Sequence, residues 1–266
     1  VWKNAVIEQL DKVQHASNLY YTHPQAELAE LLCTRTGMKK VFFSNSGAEA
    51  NECAIKTARK YSSDQYGAGR STIITLKNSF HGRTITTLAA SGQDALHKDF
   101  GPFTEGFVYV TAGDLAELEA AMSRKDVCAI MLELIQGEGG LNVLDEAYVK
   151  AAVRLAKERD ILVLIDEVQT GNGRTGKLYC YMNYGIKPDI ISTAKGIAGG
   201  LPMGATMFAE KTAGVLTGGS HGSTFGGNPL AAAGALSIMR RMDDALMEEI
   251  TQEGEYVRYA LSVQEG

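Results

Sequence analysis

The chain has 266 residues, 45% of them hydrophobic and 21% charged, and a formal net charge of −5. That length suits one large domain, or a domain and a half, with an ordinary globular composition. The acidic balance and the lack of a basic run argue against a nucleic-acid surface, and no apolar stretch approaches the length of a membrane span.

In chain order, short runs rich in Val, Ile, Leu and Phe predict strands at Lys40–Ser44, Thr72–Leu76, Phe107–Val110, Val127–Glu133, Ile161–Asp166, Asp189–Thr193 and Met203–Ala209. Their weak polar alternation suits a sheet covered on both faces. Between them, apolar residues at helical spacing predict helices at Pro24–Arg35, Ala48–Tyr61, Asp114–Ser123, Ala147–Arg159 and Pro229–Met242, with a polar helix continuing over Asp243–Val263. Alternation of this kind predicts an α/β fold with a mainly parallel sheet, whose ligands sit beyond the carboxyl ends of the strands. Cys33, Cys53, Cys128 and Cys180 form no C-x-x-C pair and read as free thiols in a reducing cytoplasm. No histidine has metal-ligand spacing, so no metal is expected. No signal peptide is visible; the first residue is not Met and the last lie in a polar helical pattern, so the chain reads as a fragment.

Three tempting motifs fail on context. Gly171–Lys177 matches much of a P-loop, yet Leu178 stands where a magnesium-binding hydroxyl belongs, and the following residues start a helix poorly. The same glycines spell G-x-G-x-x-G, but Asp166 and Glu167 would crowd anions against a pyrophosphate, and no strand with a closing acid follows at the required distance. Gly218–Gly222 matches a nucleophile elbow, but no histidine follows His221.

Four features remain, each at a predicted strand end or helix start. Ser46-Gly47-Ala48 can cradle an anion at a helix N-terminus, or Ser46 and Glu49 can form a simple capping box. Phe80 can stack on a flat ring and Arg83 can grip a carboxylate with its planar fork; the alternative is a core Phe beside a solvated Arg. Asp166, closing an apolar strand, can pair with a ring nitrogen, or can serve only as a cap or surface ion pair. Lys195 lies between a strand and a glycine-rich loop; partial burial would make its amine nucleophilic, whereas a surface lysine would merely snorkel. Together they describe a site for pyridoxal 5'-phosphate: a phosphate cradle, a stacking ring, a carboxylate for the pyridine nitrogen and a lysine for covalent attachment. On this reading Asp166 is the functional residue of its segment and the glycines after it are turn residues.

The segments SNSGAEANE, FHGRT, QGEGG, LIDEVQTGNGRTGK, STAKG and HGSTFGGNPLA stand in this order along nearly the whole chain. Together they resemble the class III (ω-amino-acid) aminotransferases of PLP fold type I. The resemblance implies a three-layer α/β/α large domain with a mainly parallel seven-stranded sheet. It divides the chain into a helical lead-in at 1–37, the cofactor-binding domain at 38–242, and a helix at 243–266 leading to a small C-terminal domain largely outside this chain. It implies that Ser46, Gly47 and Ala48 hold the phosphate, Phe80 stacks on the ring, Asp166 pairs with its nitrogen, Gln169 meets its hydroxyl and Lys195 attaches it. Arg83 would bind the substrate carboxylate remote from the reacting amine, and Glu138 would gate between half-reactions. Ser223 and Thr224 would reach the phosphate of a neighbouring subunit, making a homodimer with shared sites. Leu134 departs from the family pattern, which has Pro there. His15–Leu32 resembles the branch acting on N-acyl ornithines, which implies amino transfer from N-acetylornithine to 2-oxoglutarate in arginine biosynthesis. Class III relatives acting on succinylornithine, ornithine, 4-aminobutyrate or N-acetyl-lysine are the alternatives, as is a cofactor binder without turnover.

Overall fold

The computed structural model describes residues 1–264. Nine strands occur among them: β1 (Lys40–Ser44), β2 (Thr72–Leu76), β3 (Phe107–Val110), β4 (Val127–Leu132), β5 (Ile135–Gln136), β6 (Asn142–Val143), β7 (Leu162–Asp166), β8 (Ile190–Thr193) and β9 (Gly204–Phe208). Seven form one sheet in the order β1-β9-β8-β7-β4-β2-β3. The pairs β2–β3, β2–β4, β4–β7 and β7–β8 are parallel, while β9 runs antiparallel to both β1 and β8. The expected seven-stranded sheet is thus present: β1, β2 and β3 have the bounds the sequence suggests, and β4, β7, β8 and β9 differ by one residue at one or both ends. The antiparallel hairpin of β5 and β6 was not expected; two-residue strands carry no readable period.

The sheet is covered on both faces. Along β4 and β7, Ile130, Leu132, Val163 and Ile165 point into one core, while Cys128, Met131, Leu162 and Leu164 point into the other. Every residue of both strands is buried. This explains why they read as continuous apolar runs rather than alternating ones. The helix Gly47–Tyr66 covers the second core with Cys53, Ala54, Ile55 and Ala58, a stripe at helical spacing. Helices His23–Thr36, Leu115–Met122, Glu146–Glu158 and Pro229–Met239 cover the first.

Helix ends follow local chemistry. His23–Thr36 stops at Gly37, whose φ of 75° is left-handed. Pro229–Met239 has Pro in its first turn and ends before Met242; Asp243 then caps a separate helix, Asp244–Ser262, by accepting from the Leu246 N–H at 2.9 Å. Helix Trp2–Leu10 lies in the helical lead-in expected at 1–37, while Ile85–Ala90 and Asp94–His97 were not anticipated. No helix among the described residues is long and apolar enough to cross a membrane. The four cysteines are unbridged, and no cluster of metal-ligating side chains occurs among the described residues.

The topology fixes where a site can form. Strands β1, β2, β4, β7 and β8 run in one direction, so the segments after Ser44, Leu76, Leu132, Asp166 and Thr193 emerge at the same edge of the sheet. Antiparallel β9 begins at that edge, which brings Leu201–Met203 there too.

Candidate active site

A cavity of about 460 Å³ opens at this edge. Ser46, Gly47, Ala48, Phe80, Arg83, Glu138, Asp166, Gln169 and Lys195 line it, so nine of the eleven residues singled out from the sequence converge on one space. Ser223 and Thr224 do not line it; they lie in a neighbouring surface loop, where Thr224 is exposed.

Ser46 is the N-cap of helix Gly47–Tyr66, its hydroxyl accepting from the Glu49 N–H at 3.2 Å. The Glu49 carboxylate reaches past it to accept from the Asn45 N–H at 2.5 Å. The two readings of this segment are therefore compatible: the cap organises the first turn of a helix whose opening residues line the cavity. A Cβ at Gly47 would lie 2.6 Å from Val168 Cγ1, and one at Gly204 would lie 2.3 Å from the Ser46 carbonyl oxygen. The cradle is closed by the Val168 side chain against Gly47 and by backbone approach at Gly204, and neither glycine has room for a Cβ without a shift of its neighbours.

Asp166 is buried at the end of β7 and is neither a cap nor a surface ion-pair partner. Its Oδ2 accepts from Asn51 Nδ2 at 2.7 Å and lies 2.8 Å from His81 Nδ1; its Oδ1 accepts from the Val168 N–H at 2.9 Å. Ser192, opposite Asp166 in the sheet, donates to Asn51 Oδ1 at 2.5 Å and so orients the amide. Burial opposes the charged form of His81, but the hydrogen bond and charge of Asp166, with a contribution from Glu133, outweigh it and raise its pKa. Glu133 accepts from the Phe80 N–H at 2.8 Å, tying the aromatic loop to the end of β4. Burial pushes the Glu133 carboxyl up to about 7; His81 pulls it down, and Asp166 adds to the rise.

Asn51, His81 and Glu133 line the same cavity and were missed in the sequence. Signals existed: Glu133 ends an apolar run as Asp166 does, and Asn51 is a weak helix former on the apolar stripe of its helix. His81 is visible only as the neighbour of Phe80.

Arg83 is exposed at the cavity, its guanidinium 5.5 Å from the Phe80 ring centroid, and it forms no ion pair among the described residues. Glu138, in the turn between β5 and β6, accepts from Gln169 Nε2 at 3.2 Å. Lys195 corrects an expectation: it is exposed to the cavity, not partly buried, because the glycine-rich turn after β8 leaves the space around it open. Its backbone has φ 49°, a left-handed conformation uncommon outside glycine.

The whole sequence from residue 2 to residue 265 matches the family model described as aminotransferase class-III. The acetylornithine aminotransferase of Haemophilus ducreyi is 53% identical over 98% of this chain and 66% of that protein. The acetylornithine aminotransferase of Caldanaerobacter subterraneus is 50% identical over 97% of this chain and 65% of that protein. Among solved structures, the ornithine aminotransferase of Toxoplasma gondii, described with partial occupancy of PLP at its active site, superposes with a TM-score of 0.93 at 33% identity. It covers 98% of this chain and 63% of that one. The N-acetylornithine aminotransferase of Stenotrophomonas maltophilia gives a TM-score of 0.83 at 35% identity, over 98% and 64% of the two chains. The fold and site thus define a PLP fold type I protein, and the chain belongs to the class III aminotransferases. It spans about two thirds of the length of the curated relatives it matches.

The cofactor of this family is pyridoxal phosphate, and the residues present fit it. A cradle of small residues at a helix N-terminus suits a phosphate. A buried carboxylate held by three polar contacts suits a pyridinium nitrogen, and an exposed lysine amine shares their cavity.

Proposed function

We propose that this protein transfers the terminal amino group of N-acetylornithine, or a similar N-acyl ornithine, to 2-oxoglutarate, yielding the semialdehyde and glutamate. The convergence of the Ser46–Ala48 cradle, Phe80, Asp166 and Lys195 on one cavity carries this reading. The choice of amine rests on the acetylornithine aminotransferases at 53% and 50% identity.

Pyridoxal phosphate, when bound, supplies an electron sink for the substrate carbon that loses its proton. Each residue then has a task set by its position. The amides of Ser46–Ala48 bind the phosphate, and Phe80, held by Glu133, packs on the ring. Asp166 keeps a negative charge beside the ring nitrogen, oriented by Asn51 and His81. Gln169 meets the ring hydroxyl. Lys195 would hold the cofactor covalently, and its amine would hold or move the proton at the substrate carbon. Arg83 grips the carboxylate at the far end of the donor, and Glu138, bonded to Gln169, stands at the entrance where the two substrates alternate.

The active unit in this reading is a homodimer. Thr224 and Phe225 are exposed in a loop beside Leu19, Tyr20 and Tyr21, which are also exposed. Asn18 joins the two segments by donating to the Ser223 and Gly226 carbonyls at 2.7 and 3.0 Å. Such an aromatic patch suits a partner subunit, with Ser223 and Thr224 turned to the partner's phosphate. The proposed division keeps 1–37 as a lead-in, 38–242 as the cofactor domain and 243–266 as the link to a small domain. The unbridged cysteines suit a cytoplasmic enzyme.

The test is direct. Incubation with pyridoxal phosphate followed by borohydride should leave one adduct on Lys195, and acetylornithine with 2-oxoglutarate should turn over. Lys195→Ala should lose both. An adduct that persists in Lys195→Ala would move the attachment elsewhere, and faster turnover of ornithine or 4-aminobutyrate would change the substrate.

A further inference from the structure

The glycine loop after Asp166 does more than turn the chain. Glu167 is fully buried; it accepts from the Thr170 hydroxyl at 2.6 Å and from the Tyr181 N–H at 2.7 Å, which cinches the two ends of the loop. A Cβ at Gly171 would lie 2.7 Å from the Glu167 carbonyl oxygen and 2.9 Å from the Tyr179 ring. Gly173, at φ 84°, closes the turn by donating its N–H to the Leu178 carbonyl at 3.1 Å. Between these glycines stands Asn172, itself left-handed at φ 57°. Its side-chain Nδ2 donates to the Ala194 carbonyl at 2.9 Å and to the Thr193 hydroxyl at 3.1 Å. Its Oδ1 has no partner among the described residues, so the group serves only as a donor.

Ala194 directly precedes Lys195, whose left-handed φ is unfavourable for a non-glycine residue in the isolated chain. The Ala194 carbonyl also receives the Ile197 N–H at 3.2 Å, the bond that shapes the short turn Lys195–Ala198. The turn's Ile197 N–H and the Asn172 amide meet at this carbonyl, and Asn172 is its side-chain anchor. We propose that Asn172 is a positioning residue for Lys195: its amide pins the Ala194–Lys195 peptide and so keeps the lysine amine directed to the cavity. The proposal rests on the reading of Lys195 as the attachment residue.

Two variants separate the anchor from the backbone preference. Asn172→Gly tolerates the left-handed backbone but has no donor. Asn172→Asp keeps volume and tolerance but turns the donor into an acceptor facing a carbonyl. Without cofactor, hydrogen exchange at the Ile197 and Gly199 amides should speed up roughly tenfold in Asn172→Gly, while exchange in β4 and β7 stays as in the wild type. With pyridoxal phosphate, the rate of borohydride-fixable attachment at Lys195 should fall by a similar factor in both variants. A solely structural asparagine would alter melting but leave attachment unchanged in the molecules that remain folded. Wild-type exchange and attachment in Asn172→Gly would overturn the proposal. If that variant does not fold, wild-type attachment in Asn172→Asp would overturn it equally. A wild-type protein that forms no adduct at Lys195 refutes the attachment reading instead, and the exchange comparison still decides whether Asn172 holds the turn.

Discussion

At the scale of single residues, Asp166 and Arg83 differ in what surrounds them, and their variants should differ accordingly. Asp166 is buried and touches Asn51, His81 and Val168, so Asp166→Asn retains the shape but removes the charge proposed to face a ring nitrogen. Turnover should drop by about 10²–10³, the usual cost of one preorganised electrostatic contact. Steady-state assay of the folded variant checks this, and wild-type turnover would end the proposed role. Arg83 is exposed and forms no ion pair among the described residues, so Arg83→Lys should leave melting unchanged while raising KM for acetylornithine, because an ammonium cannot reproduce the two-pronged contact. Amines lacking the remote carboxylate serve as the comparison. If their KM rose as much, Arg83 would act on the loop rather than on the substrate.

At the scale of elements, strands and loops are locked together by close approach and by buried acids. Gly204 opens β9 directly beneath the Ser46 carbonyl, so Gly204→Ala should displace the start of helix Gly47–Tyr66. We expect a lower Tm and weaker pyridoxal phosphate binding than in Gly214→Ala, where an added Cβ meets nothing within 4 Å. Equal affinities in the two variants would remove the cradle from this account. Burial pushes Glu167 up to about 7, against the pull of its hydrogen bonds to Thr170 and Tyr181. In the unfolded chain a Glu titrates near ~4.3. Between these values the folded state binds more protons than the unfolded one, so stability falls as pH rises. The contribution is fully present below ~4.3 and lost as pH passes about 7. Glu167→Gln has no proton to lose there, so its Tm relative to wild type should climb from pH 4.5 to pH 8. Melting curves across that range provide the check; a pH-independent difference would mean that Glu167 is already ionised throughout.

At the scale of the whole molecule, the proposed homodimer has a consequence that one subunit cannot show. Thr224 is exposed and lies outside the cavity that holds Lys195. If it reaches the partner's phosphate, Thr224→Glu repels that phosphate across the interface, while Lys195→Ala disables the site of its own subunit. Each variant alone should be inactive. A mixed dimer contains one site with an intact lysine from one subunit and an intact threonine from the other. Exchange of subunits between the two inactive proteins, made at the length of their relatives, should restore activity to at most one site per mixed dimer. Exchange demonstrated by mass spectrometry with activity still at zero would refute the shared site.

Much of this was legible along the chain because it depends on near neighbours. Continuous Val, Ile and Leu runs marked the central strands β4 and β7, since strands buried on both faces need apolar side chains at nearly every position; β1 and β9 were marked by Phe, Ala and Met instead. Topology then explains why residues after separate strands had to meet, and Ser46, Phe80, Asp166 and Lys195 could be chosen from their places at strand ends. Other features depend on contacts far apart in the chain. Asn51 and His81 meet Asp166 across 115 and 85 positions. Glu133 meets Phe80 across 53, and Asn172 meets Ala194 across 22. No periodicity or local propensity records such pairings. The exposure of Lys195 belongs with them: whether a strand-end lysine is buried depends on how the next turn and the opposite cavity wall pack, and here they leave it open. Local chemistry named the parts, and the folding of β7, β8 and the loop between them set their distances and partners.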